Sequence, residues 1–119
     1  MVKSGGGDDG DTRQRHRLSF ADLVIDEDSH EVWRGDELIS VSPNEFGLLR
    51  YFVINAGTVL SKRSILAHVW PEWPTANGNV VQSCVSHLRR KADYREPRIL
   101  HTVRGLGYVL REDRNKRNP

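Results

Sequence analysis

Short alternations of apolar and polar residues occupy the chain from Leu18 onward. Apolar side chains recur there at a period of two residues, and turn-forming clusters at 26–29 and 34–36 interrupt the alternation. The apolar positions are Leu18, Phe20, Leu23, Ile25, Val32, Leu38 and Val41. The pattern predicts a small antiparallel sheet of about four strands. Its carboxylates lie in turns that lack the spacing of a calcium loop, so they do not indicate a metal site.

The next segment, residues 42–57, has the pattern of a capped helix. Ser42 suits the N-cap, Pro43 the first helical position, and Glu45 the position that closes a capping box. Gly57 suits the left-handed conformation that often follows a helix. Apolar side chains at helical spacing fall at Phe46, Leu49, Phe52, Val53 and Ala56. A helix with one face in the core is therefore predicted.

A second helix is predicted to follow Ser61, which suits its N-cap, and to end at Pro71. Its apolar stripe consists of Ile65, Leu66, Val69 and Trp70. The loop after it carries Trp73 between two prolines. A tryptophan in a surface loop either packs back onto the domain or is kept for a partner, and the sequence leaves both possibilities open.

Residues 79–91 predict a third helix with two contrasting faces. Val81, Cys84, Val85 and Leu88 form the apolar face. The opposite face and its flanks carry Asn79, Gln82, Ser83, Ser86, His87, Arg89 and Arg90. Amides, hydroxyls, imidazoles and guanidinium groups are the side chains that contact base edges and phosphates in a DNA groove. We interpret this segment as the recognition helix of a helix-turn-helix. The connection between the second and third helices is longer than the usual turn of about three or four residues.

Residues 99–103 and 108–110 predict two strands joined by the turn 104–107. Its two glycines suit the positive backbone angles of a hairpin. A nucleotide-binding glycine loop needs a helix after it, and here a strand follows. Arg104 is well placed at the hairpin tip to enter a minor groove, whose negative potential favours a guanidinium.

The composition is that of a single small domain. With 119 residues and 37% hydrophobic content, the chain can bury one modest core. We expect a flexible linker or tail over residues 1–16, the domain over 17–112, and a disordered tail over 113–119. No stretch has the length of a membrane span or of a signal-peptide core, so we expect a cytoplasmic protein. Cys84 is the single cysteine and is predicted to be a core residue.

The charges are unevenly distributed along the chain. Residues 1–56 carry 6 Lys/Arg against 11 Asp/Glu, a balance of −5, and residues 57–119 carry 12 against 5, a balance of +7, which together give the net charge of +2. Such asymmetry points to a polyanionic partner for the second half, with the acidic half turned elsewhere. Many solvated surfaces show the same asymmetry, so the charge alone does not decide the function.

Taken together, five motifs resemble the effector domain of the OmpR/PhoB family of response regulators. They are Ser42-Pro43-x-Glu45-Phe46-x-Leu48-Leu49, Val59-Leu60-Ser61, His68-Val69-Trp70, the run from Val81 to Lys91, and Thr102-Val103-Arg104-Gly105-Leu106-Gly107-Tyr108. The resemblance covers roughly residues 17–112. It implies an α+β winged helix-turn-helix fold with an N-terminal four-stranded antiparallel sheet, three helices and a C-terminal β-hairpin wing.

The resemblance also implies roles for individual residues in double-stranded DNA binding. The seven polar residues of the third helix would face the major groove, with the outer ones on phosphates, and Arg104 would enter the minor groove. Trp70, Thr102 and Tyr108 match positions that touch the sugar-phosphate backbone in the family. Several members have arginine on the base-reading face where this chain has Ser86 and His87, so the target sequence is not implied, although Gln82 could pair with adenine.

The resemblance further implies protein partners. The loop from Trp70 to Asn79 corresponds to a segment that contacts RNA polymerase in some members, which makes Trp73 a candidate partner residue. Family members normally carry an N-terminal receiver domain that a histidine kinase phosphorylates, and this chain has no room for it. Two copies would bind direct repeats as a head-to-tail dimer. No cofactor is implied.

Two other classes of function compete with DNA binding. A winged helix could serve as a protein-interaction module that holds its partner with the Trp73 loop. A hydrolase is a weaker alternative, because the histidines and acidic residues show no recognised nucleophile or metal spacing. Binding to mixed-sequence DNA that depends on salt concentration separates the first two possibilities.

Overall fold

The computed structural model describes residues 16–94 and 97–112. Its elements, in chain order, are β1 (Arg17–Phe20), β2 (Leu23–Asp26), β3 (Glu31–Arg34), β4 (Glu37–Ile39), α1 (Pro43–Ile54), α2 (Lys62–Val69), α3 (Gly78–Ala92), β5 (Leu100–Val103) and β6 (Gly107–Leu110). This is the predicted order of four strands, three helices and a hairpin. The predicted flexible segment up to residue 15 and the predicted tail 113–119 lie outside the described residues.

The N-terminal sheet is antiparallel, with its strands side by side in chain order. Its inner face consists of Leu23, Ile25, Val32 and Ile39. The predicted alternation was wrong in β4, where Leu38 is 51% exposed and Ile39 is buried. Since Ile39 is the direct partner of Val32, these two side chains share the core face of the sheet, and Leu38 is left on the outer face.

Helix α1 begins as predicted. The Glu45 backbone N–H donates to Ser42 Oγ at 3.2 Å, and the Ser42 backbone N–H donates to Glu45 Oε1 at 2.9 Å, which completes the capping box. The helix ends at Ile54, so Ala56 lies beyond it and is exposed, contrary to the prediction. Gly57 has a φ of 88°, and its N–H donates to the Leu110 carbonyl at 2.8 Å. The end of α1 is thereby joined to the hairpin.

The hairpin is anchored by the link between α1 and α2. The Leu60 N–H donates to the Tyr108 carbonyl at 2.7 Å, and the Tyr108 N–H donates to the Leu60 carbonyl at 3.0 Å. Gly107 makes this approach possible, because a Cβ there would lie 2.0 Å from the Leu60 oxygen. Leu60 and Tyr108 thus form a β-bridge that holds the wing.

Arg34 is the largest fully buried side chain of the described residues. Its guanidinium donates to Asp22 at 2.9 Å, Asp93 at 3.2 Å and the Pro97 carbonyl at 2.8 Å, and it also donates to the Ala92 carbonyl. The sequence pattern placed Arg34 in a polar turn. The structure instead makes it the connection between the N-terminal sheet and the end of α3.

The main hydrophobic core lies between the inner face of the sheet, the three helices and the hairpin. Phe52 and Leu48 of α1 are completely buried at its centre, together with Ile65 of α2 and Val81 of α3. In the part of the chain that the structure describes, no helix is both long and apolar enough to cross a membrane.

Candidate nucleic-acid interface

Helix α3 is positioned by its N-cap and its apolar stripe. Asn77 Oδ1 accepts from the Asn79 backbone N–H at 2.9 Å, which satisfies a donor of the first turn. The predicted apolar residues are all buried: Val81, Cys84, Val85 and Leu88. Burial, with a smaller contribution from the Glu45 carboxylate, raises the pKa of the Cys84 thiol to about 11. Cys84 is therefore a core thiol, as predicted.

The predicted polar face of α3 is directed to solvent. Its exposed members are Asn79, Gln82, Ser83, Ser86, His87 and Arg90. The side chains of Gln82, Ser86 and Arg90 make no hydrogen bond or ion pair with other described residues. These groups are available to an external partner because the fold uses none of them.

Arg89 is half-buried and holds the wing against α3. Its guanidinium donates to the Leu100 carbonyl at 3.3 Å and to Thr102 Oγ1 at 2.5 Å, and it lies 5.7 Å from the centre of the Tyr108 ring. Sequence reasoning placed Arg89 with the groove-facing residues. The structure gives it an additional role, which is to fix the angle between the helix and the hairpin.

Glu45 couples α1 to the C-terminal half of α3. Its Oε1 accepts from Lys91 Nζ at 2.8 Å, and its Oε2 lies 3.8 Å from His87 Nδ1. Burial disfavours the charged form of Glu45, but the hydrogen bonds from Lys91 and the Ser42 backbone outweigh burial and hold its pKa below the ordinary value of 4.5. Lys91 therefore neutralises an internal carboxylate, which leaves its ammonium group less available to a phosphate.

The wing and α3 enclose a groove of about 380 Å³. Gln82 lines it from α3, Lys62 from the start of α2, and Thr102, Arg104 and Tyr108 from the hairpin. Arg104 is exposed at the tip, beside Gly105, whose φ is 77°. The structure therefore brings the predicted base-reading residue Gln82 and the predicted wing residues to one surface.

Trp70 and Tyr108 bury their rings but expose their polar atoms. Their side chains are only 8% and 5% exposed. Every buried side-chain nitrogen or oxygen of the described residues has a hydrogen-bond partner, yet neither the Trp70 indole N–H nor the Tyr108 hydroxyl donates to a described residue. Both atoms must therefore reach the surface, where an anchored donor suits a backbone phosphate.

The Trp73 side chain is 51% exposed in the loop between α2 and α3. The loop is ordered by bonds from the Trp73 N–H to the Trp70 carbonyl at 3.1 Å and from the Ala76 N–H to the Trp73 carbonyl at 3.0 Å. Trp73 lines a surface cavity of about 620 Å³ beside Leu66 and Arg63. It is partly packed and partly available, so the geometry favours neither of the two predicted roles.

Sequence reasoning missed the residues that hold the interface in place. Arg34, Asp93 and Glu45 are buried charged residues that attach the C-terminal half of the recognition helix to the rest of the domain. Glu45 was identified only as a capping residue, and nothing in the local pattern around Arg34 or Asp93 indicates burial. Their partners lie 46 to 59 positions away in the chain, at Lys91 for Glu45 and at Asp93 for Arg34.

The chain is similar in sequence to known regulatory proteins. A family model described as the C-terminal domain of transcriptional regulatory proteins matches residues 35–110. The "probable transcriptional regulatory protein TcrX" of Mycobacterium tuberculosis is 45% identical over 98 residues, covering 82% of this chain and 42% of that protein. The response regulator MprA of Mycolicibacterium vanbaalenii is 46% identical over 97 residues, covering 80% of this chain and 42% of that protein. The chain thus spans less than half the length of these curated relatives.

One solved structure with the same fold is that of a DNA-binding domain in a complex. It is the crystal structure of the DNA-binding domain of RstA from Klebsiella pneumoniae in complex with the RstA box. The two chains are 28% identical and superpose with a TM-score of 0.68, and the match covers 80% of this chain and 96% of that one. The arrangement of sheet, helices and hairpin is therefore that of a winged helix.

Proposed function

Since this chain belongs to the OmpR/PhoB family of winged-helix, DNA-binding effector domains of response regulators, we propose that α3 reads the major groove and that the wing enters the minor groove. The observation that carries this proposal is the outward face of α3, where Gln82, Ser86 and Arg90 are exposed and make no bond to other described residues. The family consists of transcriptional regulators, so we propose no catalysis.

Affinity comes mainly from phosphate contacts at the edges of the groove. Arg90 supplies a cation without an internal partner among the described residues, and the surface atoms of Trp70 and Tyr108 supply neutral donors. Thr102 is exposed on the hairpin, where its hydroxyl already accepts from Arg89 and can donate to a phosphate. The salt dependence follows the phosphates neutralised by Lys and Arg and not the neutral donors. With about five neutralised phosphates per domain, the log-log dependence of the binding constant on salt concentration should have a slope of about −4.5.

Base choice comes from the middle of α3 and from the wing tip. Gln82 can form a bidentate pair with adenine, and Ser83, Ser86 and His87 lie on the same exposed face. Asn79 lies at the N-terminal end of this face. Arg104 at the hairpin tip favours a narrow minor groove, where the negative potential is strongest.

The partners of the whole regulator are part of the same proposal. The relatives named above are more than twice as long as the matched segment, which leaves room in them for a receiver domain. We propose that two copies bind a direct repeat head to tail, because one small module buries little surface on DNA. The Trp73 loop would contact RNA polymerase, and a cognate histidine kinase would act through the receiver domain in the cytoplasm.

A protein-interaction module remains the second candidate, because Trp73 is half exposed beside a surface cavity. Titrating mixed-sequence duplex DNA at several salt concentrations distinguishes the two. DNA binding predicts the steep negative slope given above, whereas an interaction module predicts little binding and no slope. A Trp73→Ala variant serves as the control, since it should leave the salt slope unchanged if DNA is the partner.

Specificity is tested by selection from random duplex DNA followed by sequencing. Replacing Gln82 or His87 by alanine should relax base preference at a few positions, and each bidentate pair contributes about 1–3 kcal/mol of discrimination. Replacing Arg104 by alanine should weaken binding, with the largest loss at sites that have a narrow minor groove. An unchanged selected motif in both helix variants would mean that α3 is not the reader.

A further inference from the structure

A second basic cavity lies at the other end of the recognition helix. It has a volume of about 620 Å³ and is bounded by the last turn of α3, by Asp93, Tyr94 and Arg98, and by β5. Three arginines line it, namely Arg89, Arg90 and Arg98. We propose that this cavity binds a phosphodiester of the DNA backbone, with Arg98 and Arg90 as its ligands. The inference rests on the proposed function and adds Arg98 to the interface.

The positive charge of this cavity is not cancelled from within. Asp93 is the one carboxylate among the described residues that line it, and Asp93 is buried. Its Oδ1 accepts from Arg34 at 3.2 Å and from the Ile99 N–H at 2.8 Å, and its Oδ2 accepts from the Leu100 N–H at 3.1 Å. Asp93 is thus neutralised by groups behind the cavity wall, which leaves the arginines to set the potential in front of it.

Two of the arginines are available to a ligand. Arg90 is exposed and makes no bond to another described residue. Arg98 is exposed, and its guanidinium makes only one long contact, 3.4 Å from Nη2 to the Tyr94 carbonyl. Arg89, by contrast, is bonded to Thr102, and His101 Nε2 lies 3.0 Å from the Arg111 carbonyl. Each of these two guanidinium groups carries the planar fork of donors that binds phosphate.

The cavity continues the surface that faces DNA in the proposed complex. Arg90 follows Ser83 and Ser86 along the exposed face of α3 at helical spacing. Thr102 lines both this cavity and the groove that contains Arg104, so β5 connects the wing tip to Arg98. A backbone strand that follows the wing would therefore pass this cavity.

The helix dipole works against an anion at this position, because the cavity lies beside the C-terminal end of α3. Two features reduce that effect. Arg34 donates to the Ala92 carbonyl and thereby neutralises part of the negative helix end. The three arginines at the cavity carry full charges, whereas the helix end carries only about half a charge. The net field therefore favours a phosphate.

The test is Arg98→Ala compared with wild type and with Arg50→Ala. Arg50 is a matched control, because it is also partly exposed but is bonded to Glu27 at 2.8 Å on the sheet side of the domain. Arg98→Ala should weaken binding about 3- to 10-fold on every duplex sequence and make the salt slope about 0.9 shallower. Arg50→Ala should leave the slope unchanged, and Arg98→Lys should retain most of the wild-type slope.

An Arg98→Ala slope equal to wild type would overturn the site while leaving the proposed function intact, whereas a flat wild-type slope would overturn the proposed function itself. Scanning the duplex with single neutral methylphosphonates provides a test with the wild-type protein, in case Arg98→Ala does not fold. One flanking substitution should weaken wild type and, by a similar factor, Arg98→Lys. It should have little further effect on Arg98→Ala or, if that variant does not fold, on Arg98→Gln, and the absence of any such position would reject the site. Inorganic phosphate at matched ionic strength should not compete, and Arg98-dependent competition would assign the cavity to free phosphate instead.

Discussion

Arginines occur on both sides of the domain, but among the described residues only those near the N-terminal sheet pair with carboxylates. Those pairs are Arg17 with Asp26 at 3.4 Å, Arg34 with Asp22 at 2.9 Å and with Asp93 at 3.2 Å, and Arg50 with Glu27 at 2.8 Å. On the surface formed by α3 and the wing, Arg90 and Arg104 have no such partner within the described ranges. The sheet side pairs its arginines with carboxylates, whereas the α3–wing side leaves Arg90 and Arg104 to solvent or to a ligand.

The difference shows that the number of cations does not by itself locate a polyanion site. An exposed ion pair contributes little to stability, but it cancels the field that a distant phosphate would experience. Within the described ranges, the acidic first half and the basic second half of the chain therefore contribute to two surfaces with different electrostatic character. Variants that exchange or remove these charges test whether the two sides are really separate in their roles.

The largest effect is expected from Arg34→Ala on the sheet side. Removing the guanidinium leaves the buried Asp93 carboxylate without its cation and the Ala92 and Pro97 carbonyls without a donor. Breaking such a buried network costs about 3–5 kcal/mol of the free energy of unfolding. Urea denaturation measures the loss. Arg50→Ala, which removes a partly exposed ion pair, should cost under about 1 kcal/mol, and equal losses in the two variants would contradict the distinction.

A smaller loss is expected from Gly107→Ala on the wing side. The new Cβ would lie 2.0 Å from the Leu60 oxygen, and the residue has a φ of 150°, so the hairpin must move away from the link before α2. We expect about 1–3 kcal/mol of destabilisation together with weaker DNA binding, measured by thermal unfolding and by titration. Gly105→Ala is the matched control, since its φ is 77° but no atom lies within 4 Å of the added Cβ. Comparable DNA binding by the two variants would mean that the position of the wing does not affect recognition.

The smallest effect, and the one with a defined pH dependence, is expected from Glu45→Gln. Because the pKa of Glu45 is lowered in the folded protein, its charged form stabilises the fold above the ordinary pKa of 4.5, and this contribution is lost as pH falls through the folded-state pKa. The variant should be about 1–2 kcal/mol less stable than wild type at pH 7, and the difference should shrink below about pH 4.5. Denaturation at several pH values measures it. A difference that is constant with pH would mean that the Glu45 charge is not the cause.

Much of the fold could be predicted from local patterns. The capping box at Ser42, the N-cap at Ser61 and the two faces of α3 are each determined by residues within one or two helical turns, and all three are present in the structure. The prediction failed where local signals were weak. In β4 the apolar residues Leu38 and Ile39 are adjacent, and only pairing with Val32 decides which of them faces the core.

The candidate site was predicted in part. The exposed polar residues of α3 and the tip arginine follow from helical spacing and hairpin geometry. Helical spacing does not show whether a given cation is available to a ligand. Arg89 and Arg90 are neighbours in the chain, yet only Arg89 is bonded to the wing. Lys91 is likewise occupied by Glu45, 46 positions earlier in the chain. Such partnerships depend on long-range packing that spacing does not reveal.

By itself, the sequence determined the order of elements, the family and the face of α3 that is directed outward, because hydrophobic periodicity and capping act over a few residues. Only the tertiary structure decided which charged residues bind each other and which remain exposed to solvent. Arg34 and Arg90 differ little as residues, but one is enclosed by four acceptors and the other by solvent. The physical reason is that a buried charge must be paired while an exposed one need not be, and burial is a property of the packed chain.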